Sequence, residues 1–185
     1  MLFQELTLED SSRLNDRLYA RFMKLYGTER VRQTHHFEGR FENSYLQLSD
    51  IPDIATVLDV MKQQAAQLLG VPTATLKVGF WFNAMDAGQR TSLHHHDEND
   101  ELLSAVYYIR VPGNSGDLIL HDAGSTVRIQ PQEGKLVMFA PDVLHEVTPH
   151  LGSGVRLSVA MNVGPADDQP LLGDAAKAPT TCGPD

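Results

Sequence analysis

The second half of the chain consists of short apolar runs separated by turn residues. From residue 74 onward the runs read ATLKVGFWF, LLSAVYYIRV, DLILH, STVRI, KLVMFA, LHEVTP and VRLSVAMNV. The segments between them, DAGQ, PGNSGD, DAGS, PQEG and GSG, supply the glycine, proline and aspartate that tight connections require. Because several short strands at this spacing are typical of a sandwich or barrel, the pattern predicts a mainly β fold.

Two amphipathic helices are predicted ahead of these strands. Residues 7–26 carry apolar side chains at near-helical spacing, with Thr7 as the expected cap and Gly27 as the stop. A second apolar stripe follows Asp50 and ends at GVP, residues 70–72. We expect both helices to pack on one outer face of the barrel, and the alternative is that they form the contact of a homodimer.

The chain is predicted to form one domain with a short tail. Residues 1–73 are expected to give mostly helical support and residues 74–163 the barrel core. Residues 164–185 lose periodicity and gain proline, alanine and aspartate, which predicts a flexible tail. Between the two helices, THHFEGRFENSY (34–45) reads as a loop or edge segment whose histidines contact solvent.

Composition and charge narrow the classes of function. A net charge of −9 without a basic run disfavours nucleic-acid and anionic-membrane partners. The single cysteine, Cys182, excludes an intramolecular disulfide framework and a cysteine-based zinc cluster. The sequence MLFQELTLED at the start has neither a basic segment nor a long apolar stretch, so no signal peptide is expected there. We therefore expect a cytoplasmic protein.

Three consecutive histidines precede one of the strongest strand signals, in TSLHHHDEND. Imidazole and carboxylate together suit iron, manganese or zinc, and two histidines with one carboxylate leave half of an octahedral iron's positions open. Alternate side chains of a strand share a face, which gives two sets, Leu93, His95 and Asp97 on one face and His94, His96 and Glu98 on the other. Because an apolar neighbour belongs in the interior, Leu93 favours His95 and Asp97 as ligands, with the other histidines outside or in support.

His145 is the expected third ligand. It lies in GKLVMFAPDVLHEVTP, where a buried-looking strand passes through a proline-containing turn and delivers it to the next strand. Eleven residues later, Arg156 interrupts the otherwise apolar strand VRLSVAMNV. An arginine in such a strand is costly unless its head pairs with an anion. With Ser158 on the same face, Arg156 predicts a seat for a carboxylate.

The ordered set of these residues resembles the pattern of the Fe(II)- and 2-oxoglutarate-dependent dioxygenases, here His95-x-Asp97, His145 and Arg156-x-Ser158. Over residues 79–163 the runs FWFNAMDAG, LSAVYYI, GDLILHDAG, GKLVMFAPDVLHEVTP and RLSVAMNV look like successive strands of the prolyl-hydroxylase-like branch. The resemblance implies a double-stranded β-helix, or jelly-roll barrel, with iron at its mouth.

The resemblance also implies an activity and the residues that carry it. Fe(II), 2-oxoglutarate and O2 would hydroxylate a C–H bond of a protein side chain or a small molecule, with release of succinate and CO2. The residues carried over are His95, Asp97 and His145 as iron ligands, and Arg156, Tyr108 and Ser158 as contacts to the cosubstrate. Among the latter, Arg156 would pair with the distal carboxylate, Tyr108 would help to hold it, and Ser158 is a weaker addition.

Other readings of the histidine run stay open. HHHDE also permits His96-x-Glu98 and His94-x-His96, and the second resembles a close subgroup of the family by its distance from Gly88. The same His94-x-His96 also fits the first signature of a cupin metalloenzyme independent of 2-oxoglutarate, although that reading gives Arg156 no role. A barrel that binds no metal is a third reading, disfavoured because neither a ligand nor the anion anchor is missing.

Overall fold

The computed structural model describes residues 3–96, 100–122 and 124–166. Within these ranges the chain forms two α-helices and eleven strands, together with two short 3-10 helices. In chain order the elements are β1 Phe3–Thr7, α1 Ser12–Leu25, β2 Arg32–Phe37, β3 Arg40–Tyr45, α2 Ile54–Leu69, β4 Leu76–Met85, β5 Thr91–His94, β6 Leu103–Arg110, β7 Leu118–Asp122, β8 Ser125–Ile129, β9 Lys135–Phe139, β10 Leu144–Val147 and β11 Arg156–Pro165.

The strands form two antiparallel sheets. The larger sheet has the order β1-β9-β6-β11-β4-β3-β2, and the smaller sheet has the order β5-β10-β7-β8. Apolar side chains of both sheets pack into one core between them, formed by Tyr108, Leu118, Leu120, Ile129, Val137, Phe139 and Val143. The predicted mainly β jelly-roll barrel is confirmed.

The two helices cover the other face of the larger sheet. Leu18 and Phe22 of α1 and Met61 of α2 are fully buried, in one core with Tyr107 of β6 and Val159 of β11. This second core lies on the opposite side of the sheet from the first. The helices therefore pack on one outer face of the barrel, as predicted. Within the described residues, no helix is long and apolar enough to cross a membrane.

Strand β11 directs its side chains alternately to the core beneath the helices and to a cavity between the sheets. Leu157 and Val159 are buried against the helices. Arg156 and Ser158, which alternate with them, are equally buried but line a cavity between the sheets. This period of two follows from the pleat of a strand. It is the reason that an arginine inside an apolar strand becomes a cavity residue.

The N-terminal segment differs from its prediction. Thr7 is the last residue of β1, which pairs with β9 over five residues, and does not cap a helix. Helix α1 therefore begins only at Ser12. The second helix ends as predicted, because Gly70 adopts a left-handed conformation with φ of 69°. The predicted helix boundary failed where strand pairing with a distant segment overrode local periodicity.

Residues 34–45, read from the sequence as a loop or edge segment, belong to a β-hairpin at the edge of the larger sheet. Strands β2 and β3 are joined by Glu38 and Gly39, whose φ angles of 47° and 83° are typical of a two-residue hairpin turn. At the other end of the chain, β11 continues through Pro165, beyond the predicted start of the tail. Residues 167–185, which make up the rest of that tail, lie outside the described residues.

Candidate metal centre

Three histidines from two neighbouring strands converge between the sheets. His94 ends β5, His145 lies on β10, and the two are paired directly across the smaller sheet. The backbone amide of His96 donates to the carbonyl of Pro141 at 2.8 Å, which ties the residues after β5 to the turn before β10. The donor atoms of His94, His96 and His145 all lie within 4.8 Å of one another. Nitrogen ligands on one face of an octahedron are about 3 Å apart, so small ring movements complete a site.

Backbone carbonyls fix which nitrogen these rings present. The Nδ1 of His94 donates to the carbonyl of Ser92 at 2.7 Å, and the Nδ1 of His145 donates to the carbonyl of Val143 at 2.9 Å. A ring that donates from Nδ1 keeps the lone pair of Nε2 for a metal. Two of the three histidines are therefore held in the tautomer that metal binding through Nε2 requires.

Burial disfavours the charged form of two of the three histidines, His96 and His145. Burial, together with the smaller effect of neighbouring histidines, lowers the pKa of His96 to about 3. Burial also holds the pKa of His145 well below its ordinary value, with His94 as the next largest cause. Metal ions bind the neutral imidazole, so these two rings are in the binding form at neutral pH.

The sequence-based choice between the two faces of β5 rested on a wrong assumption. Leu93 was expected to face the interior, but 53% of it is exposed. His95 is also exposed and is not one of the three converging histidines. The outer face of the smaller sheet carries a further exposed leucine, Leu144, and a lone apolar residue is a weak indicator of burial. Asp97, the predicted carboxylate ligand, lies outside the described residues.

A bulge in β5 shapes the inner face. Val147 pairs with Thr91 and His145 pairs with His94, so a step of two residues on β10 opposes a step of three on β5. An extra residue in one strand interrupts the alternation of its side chains. As a result Thr91 and His94, three positions apart, both line the cavity.

The cavity has a volume of about 300 Å³ and places the histidine cluster and Arg156 within one enclosure. Arg156 is 1% exposed, and its Nη1 donates to the hydroxyl of Ser158 at 3.3 Å. Its Nε and Nη2, and the hydroxyl of Tyr108, have no hydrogen-bond partner in the part of the chain that the structure describes. A buried guanidinium without an anion is costly, so this arrangement fits a carboxylate.

Tyr108 can act only as a neutral hydrogen-bonding group there. It is fully buried, and burial raises its pKa to about 12. The guanidinium of Arg156 lies 5.3 Å from the centroid of the Tyr108 ring. The predicted trio of Arg156, Tyr108 and Ser158 is therefore brought together in the cavity, where its donors could bind a carboxylate.

Two buried charged residues near the cluster were missed from the sequence. Arg40 and Glu42 on β3 are 7% and 6% exposed, and Glu42 lines the cavity. Both lie in the segment read as a loop or edge. The signal was present, since Arg40, Glu42 and Ser44 alternate after the turn dipeptide at Glu38 and Gly39, as the inward positions of a strand would.

Comparison with known proteins agrees with this geometry. Residues 80–164 match the profile of the 2OG-Fe(II) oxygenase superfamily. No curated protein sequence matches the chain significantly.

Several solved structures share the fold. A prolyl-4-hydroxylase from Pseudomonas putida has a TM-score of 0.64 and 20% identity, covering 88% of this chain and 91% of that chain. A prolyl hydroxylase from Trichoplax adhaerens, in complex with a hypoxia inducible factor peptide fragment, has a TM-score of 0.65 and 14% identity. The match covers 88% of this chain and 83% of that chain. The epimerase SnoN from nogalamycin biosynthesis, in complex with Fe3+ and alpha ketoglutarate, has a TM-score of 0.69 and 14% identity. The match covers 95% of this chain and 87% of that chain. At these identities the likeness shows the fold.

Proposed function

We propose that the chain is a member of the 2OG-Fe(II) oxygenase superfamily, whose profile matches residues 80–164, and that it uses Fe(II), 2-oxoglutarate and O2 to hydroxylate a C–H bond of a protein side chain or a small molecule. Succinate and CO2 are the other products. The observation that carries this proposal is one cavity holding both a cluster of three histidines and a buried guanidinium with unpaired donors. A metal ion matches the histidine cluster, and a dicarboxylate matches the guanidinium.

We propose His94, His96 and His145 as the metal ligands. Their mutual distances and the fixed tautomers of two of them support this set. The sequence-based set of His95 and Asp97 with His145 is less favoured, because His95 is exposed. Bound iron supplies the oxygen chemistry that amino-acid side chains lack.

On the cosubstrate side, Arg156 and the Tyr108 hydroxyl are the proposed donors to the distal carboxylate, with Ser158 holding the guanidinium in place. Burial of all three removes competing water from this end of the cavity. The role of the protein is to orient the cosubstrate and to exclude water around it. A cupin-type enzyme independent of 2-oxoglutarate is disfavoured, because it leaves the buried Arg156 without a partner.

The remaining cavity wall is the proposed substrate side. It is formed by β3 and β4 and includes Asn43, Tyr45, Trp81 and Asn83. Trp81 lies 5.4 Å from His96 between ring centroids, so a substrate group against this wall is near the proposed metal. A peptide or a small molecule both fit the proposal. The neighbour from Trichoplax adhaerens, which was solved with a peptide fragment, supports the first.

We further propose a single domain that ends with β11 and a cytoplasmic location. The acidic net charge of −9 and the single cysteine support that location and disfavour nucleic-acid or membrane partners. We also propose that the chain forms a homodimer.

Anaerobic titration tests the function and the ligand set together. Fe(II) and then 2-oxoglutarate are added to metal-free protein, and the visible metal-to-ligand charge-transfer band is recorded. Wild type is expected to show the band. His94→Ala should lose iron binding and His95→Ala should keep it, while Arg156→Ala should bind iron but bind 2-oxoglutarate at least about 30-fold more weakly.

The results separate the readings. Iron binding without a band in wild type would contradict the use of 2-oxoglutarate. Loss of iron in His95→Ala but not in His94→Ala would restore the alternative set, with Asp97→Asn as its next test.

A further inference from the structure

We infer that Glu42 is a positioning residue for the metal centre, acting on His94 through Ser92. The inference rests on the proposed ligand set and assigns a role to a buried carboxylate that the proposed reaction does not use. Glu42 belongs to the larger sheet, whereas His94 belongs to the smaller one. The link therefore joins the two sheets beside the cavity.

Three hydrogen bonds form the link. Oε1 of Glu42 accepts from the backbone amide of Ser92 at 2.8 Å, and Oε2 accepts from the hydroxyl of Ser92 at 2.7 Å. The carbonyl of the same Ser92 accepts from Nδ1 of His94 at 2.7 Å. One carboxylate thus fixes the residue whose carbonyl sets both the tautomer and the ring orientation of His94.

Strand β5 needs such support because its own pairing is short. It lies at the edge of the smaller sheet, and its register with β10 consists of two residue pairs separated by a bulge. Few ladder hydrogen bonds therefore define where His94 sits. Side-chain bonds from β3 supply constraints that the strand pairing does not.

Arg40 completes the support from the same strand. Its Nη2 donates to the carbonyl of Arg90 at 2.8 Å and to the hydroxyl of Thr91 at 3.1 Å. Its Nη2 also lies 3.6 Å from Oε1 of Glu42, which balances the charge of the buried carboxylate. Together the pair contacts three successive residues, from Arg90 to Ser92, the last of which lies two positions before the proposed ligand His94.

The matched control lies on the same hairpin. Glu38 accepts hydrogen bonds from the guanidinium of Arg90 at 2.6 and 3.0 Å, but it is exposed. This contact connects the hairpin turn to a side chain on the surface. Glu38→Gln therefore removes a carboxylate and an ion pair between the same two segments without altering the support of Ser92.

The experiment measures Fe(II) affinity and unfolding in urea for wild type, Glu42→Gln, Ser92→Ala, their double variant and Glu38→Gln. Glu42→Gln is expected to weaken iron binding by about 10- to 100-fold, the range typical of residues that orient metal ligands. Glu38→Gln should bind as wild type does. The iron affinity of Ser92→Ala should lie between these two. The double variant should bind iron no more weakly than Glu42→Gln, because both changes break the same link.

The outcomes distinguish the inference from the function it rests on. If wild type binds no iron, the proposed metal site fails, and the positioning role fails with it. If wild type binds iron and folded Glu42→Gln binds it equally well, the positioning role is wrong. If Glu42→Gln does not fold, the other variants decide. Iron affinity in Ser92→Ala equal to that of wild type would overturn the inference. Losses of iron affinity that simply add when Glu42→Asp is combined with Ser92→Ala would also overturn it.

Discussion

Tyr108 and Arg156 bury polar atoms that make no hydrogen bond within the described residues. A buried polar group left unpaired costs about 1–3 kcal/mol, and more when it is charged. That cost is relieved when a carboxylate accepts these donors. We therefore expect these two residues to stabilise the protein with the proposed cosubstrate bound relative to the ligand-free fold.

Replacing Tyr108 by phenylalanine should reveal both sides of this balance. Loss of an unpaired hydroxyl should raise the free energy of unfolding of the ligand-free protein by about 1 kcal/mol and weaken 2-oxoglutarate binding by about 10-fold. Unfolding in urea and anaerobic titration of the charge-transfer band measure the two effects.

The neighbouring Tyr107 provides the control for that prediction. It is buried to the same extent but faces the helices, and its hydroxyl donates to Oδ1 of Asn15 at 2.7 Å. Tyr107→Phe should therefore lower stability and leave 2-oxoglutarate affinity unchanged. Equal destabilisation in both variants would mean that the Tyr108 hydroxyl has a partner in the ligand-free protein.

Individual elements differ in how far local sequence determines them. The seven apolar runs all became strands, because alternation and turn residues act within a few positions. Strand β1 was missed, since its five residues depend on pairing with β9, more than 120 residues away along the chain. Local patterns identify elements well, but not those defined by a distant partner.

The sequence indicated some residues of the proposed metal site but did not determine its register. His145 and Arg156, which both line the cavity, stood out in the sequence because each is a polar residue inside or beside an apolar strand. The choice among adjacent histidines depended on which face of β5 turns inward, and a shift of one residue reverses that choice. Neither the bulge in β5 nor the uncovered outer face of its sheet is encoded in the run itself.

The loop before β11 makes a close backbone contact that a single substitution can test. A Cβ added to Gly152 would lie 1.8 Å from the carbonyl oxygen of Gly113, whereas one added to Gly113 would meet nothing within 4 Å. Gly152→Ala should lower the free energy of unfolding by about 1–3 kcal/mol, as forced overpacking does, and Gly113→Ala should change it little. Urea unfolding of both variants measures this, and equal stabilities would show that the loop moves aside freely.

At the scale of the whole molecule, the larger sheet separates the core beneath the helices from the cavity that contains Arg156 and the histidine cluster. Leu157 and Ser158 are neighbours in sequence, and both are buried, but they lie on opposite faces of β11. Leu157→Ala should lower the free energy of unfolding by about 2–5 kcal/mol, because it leaves a hole beneath the helices. Ser158→Ala should cost less than 1 kcal/mol but weaken 2-oxoglutarate binding, because it removes the contact to Nη1 of Arg156.

Urea unfolding and anaerobic titration of the same two variants check this division. A loss of cosubstrate affinity in folded Leu157→Ala as large as in Ser158→Ala would show that the two faces are coupled.

The alternation along β11 also bears on how such a chain can change over generations. Ala160 and Asn162 line the cavity, while Val159 and Val163 belong to the core beneath the helices. Variation at Ala160 and Asn162 can alter which molecule is accepted while the small free energy of unfolding that keeps a protein folded changes little. Variation at Val159 and Val163 lowers that free energy directly. The barrel can therefore acquire new substrates by drift on one face of a strand while selection for folding acts on the other.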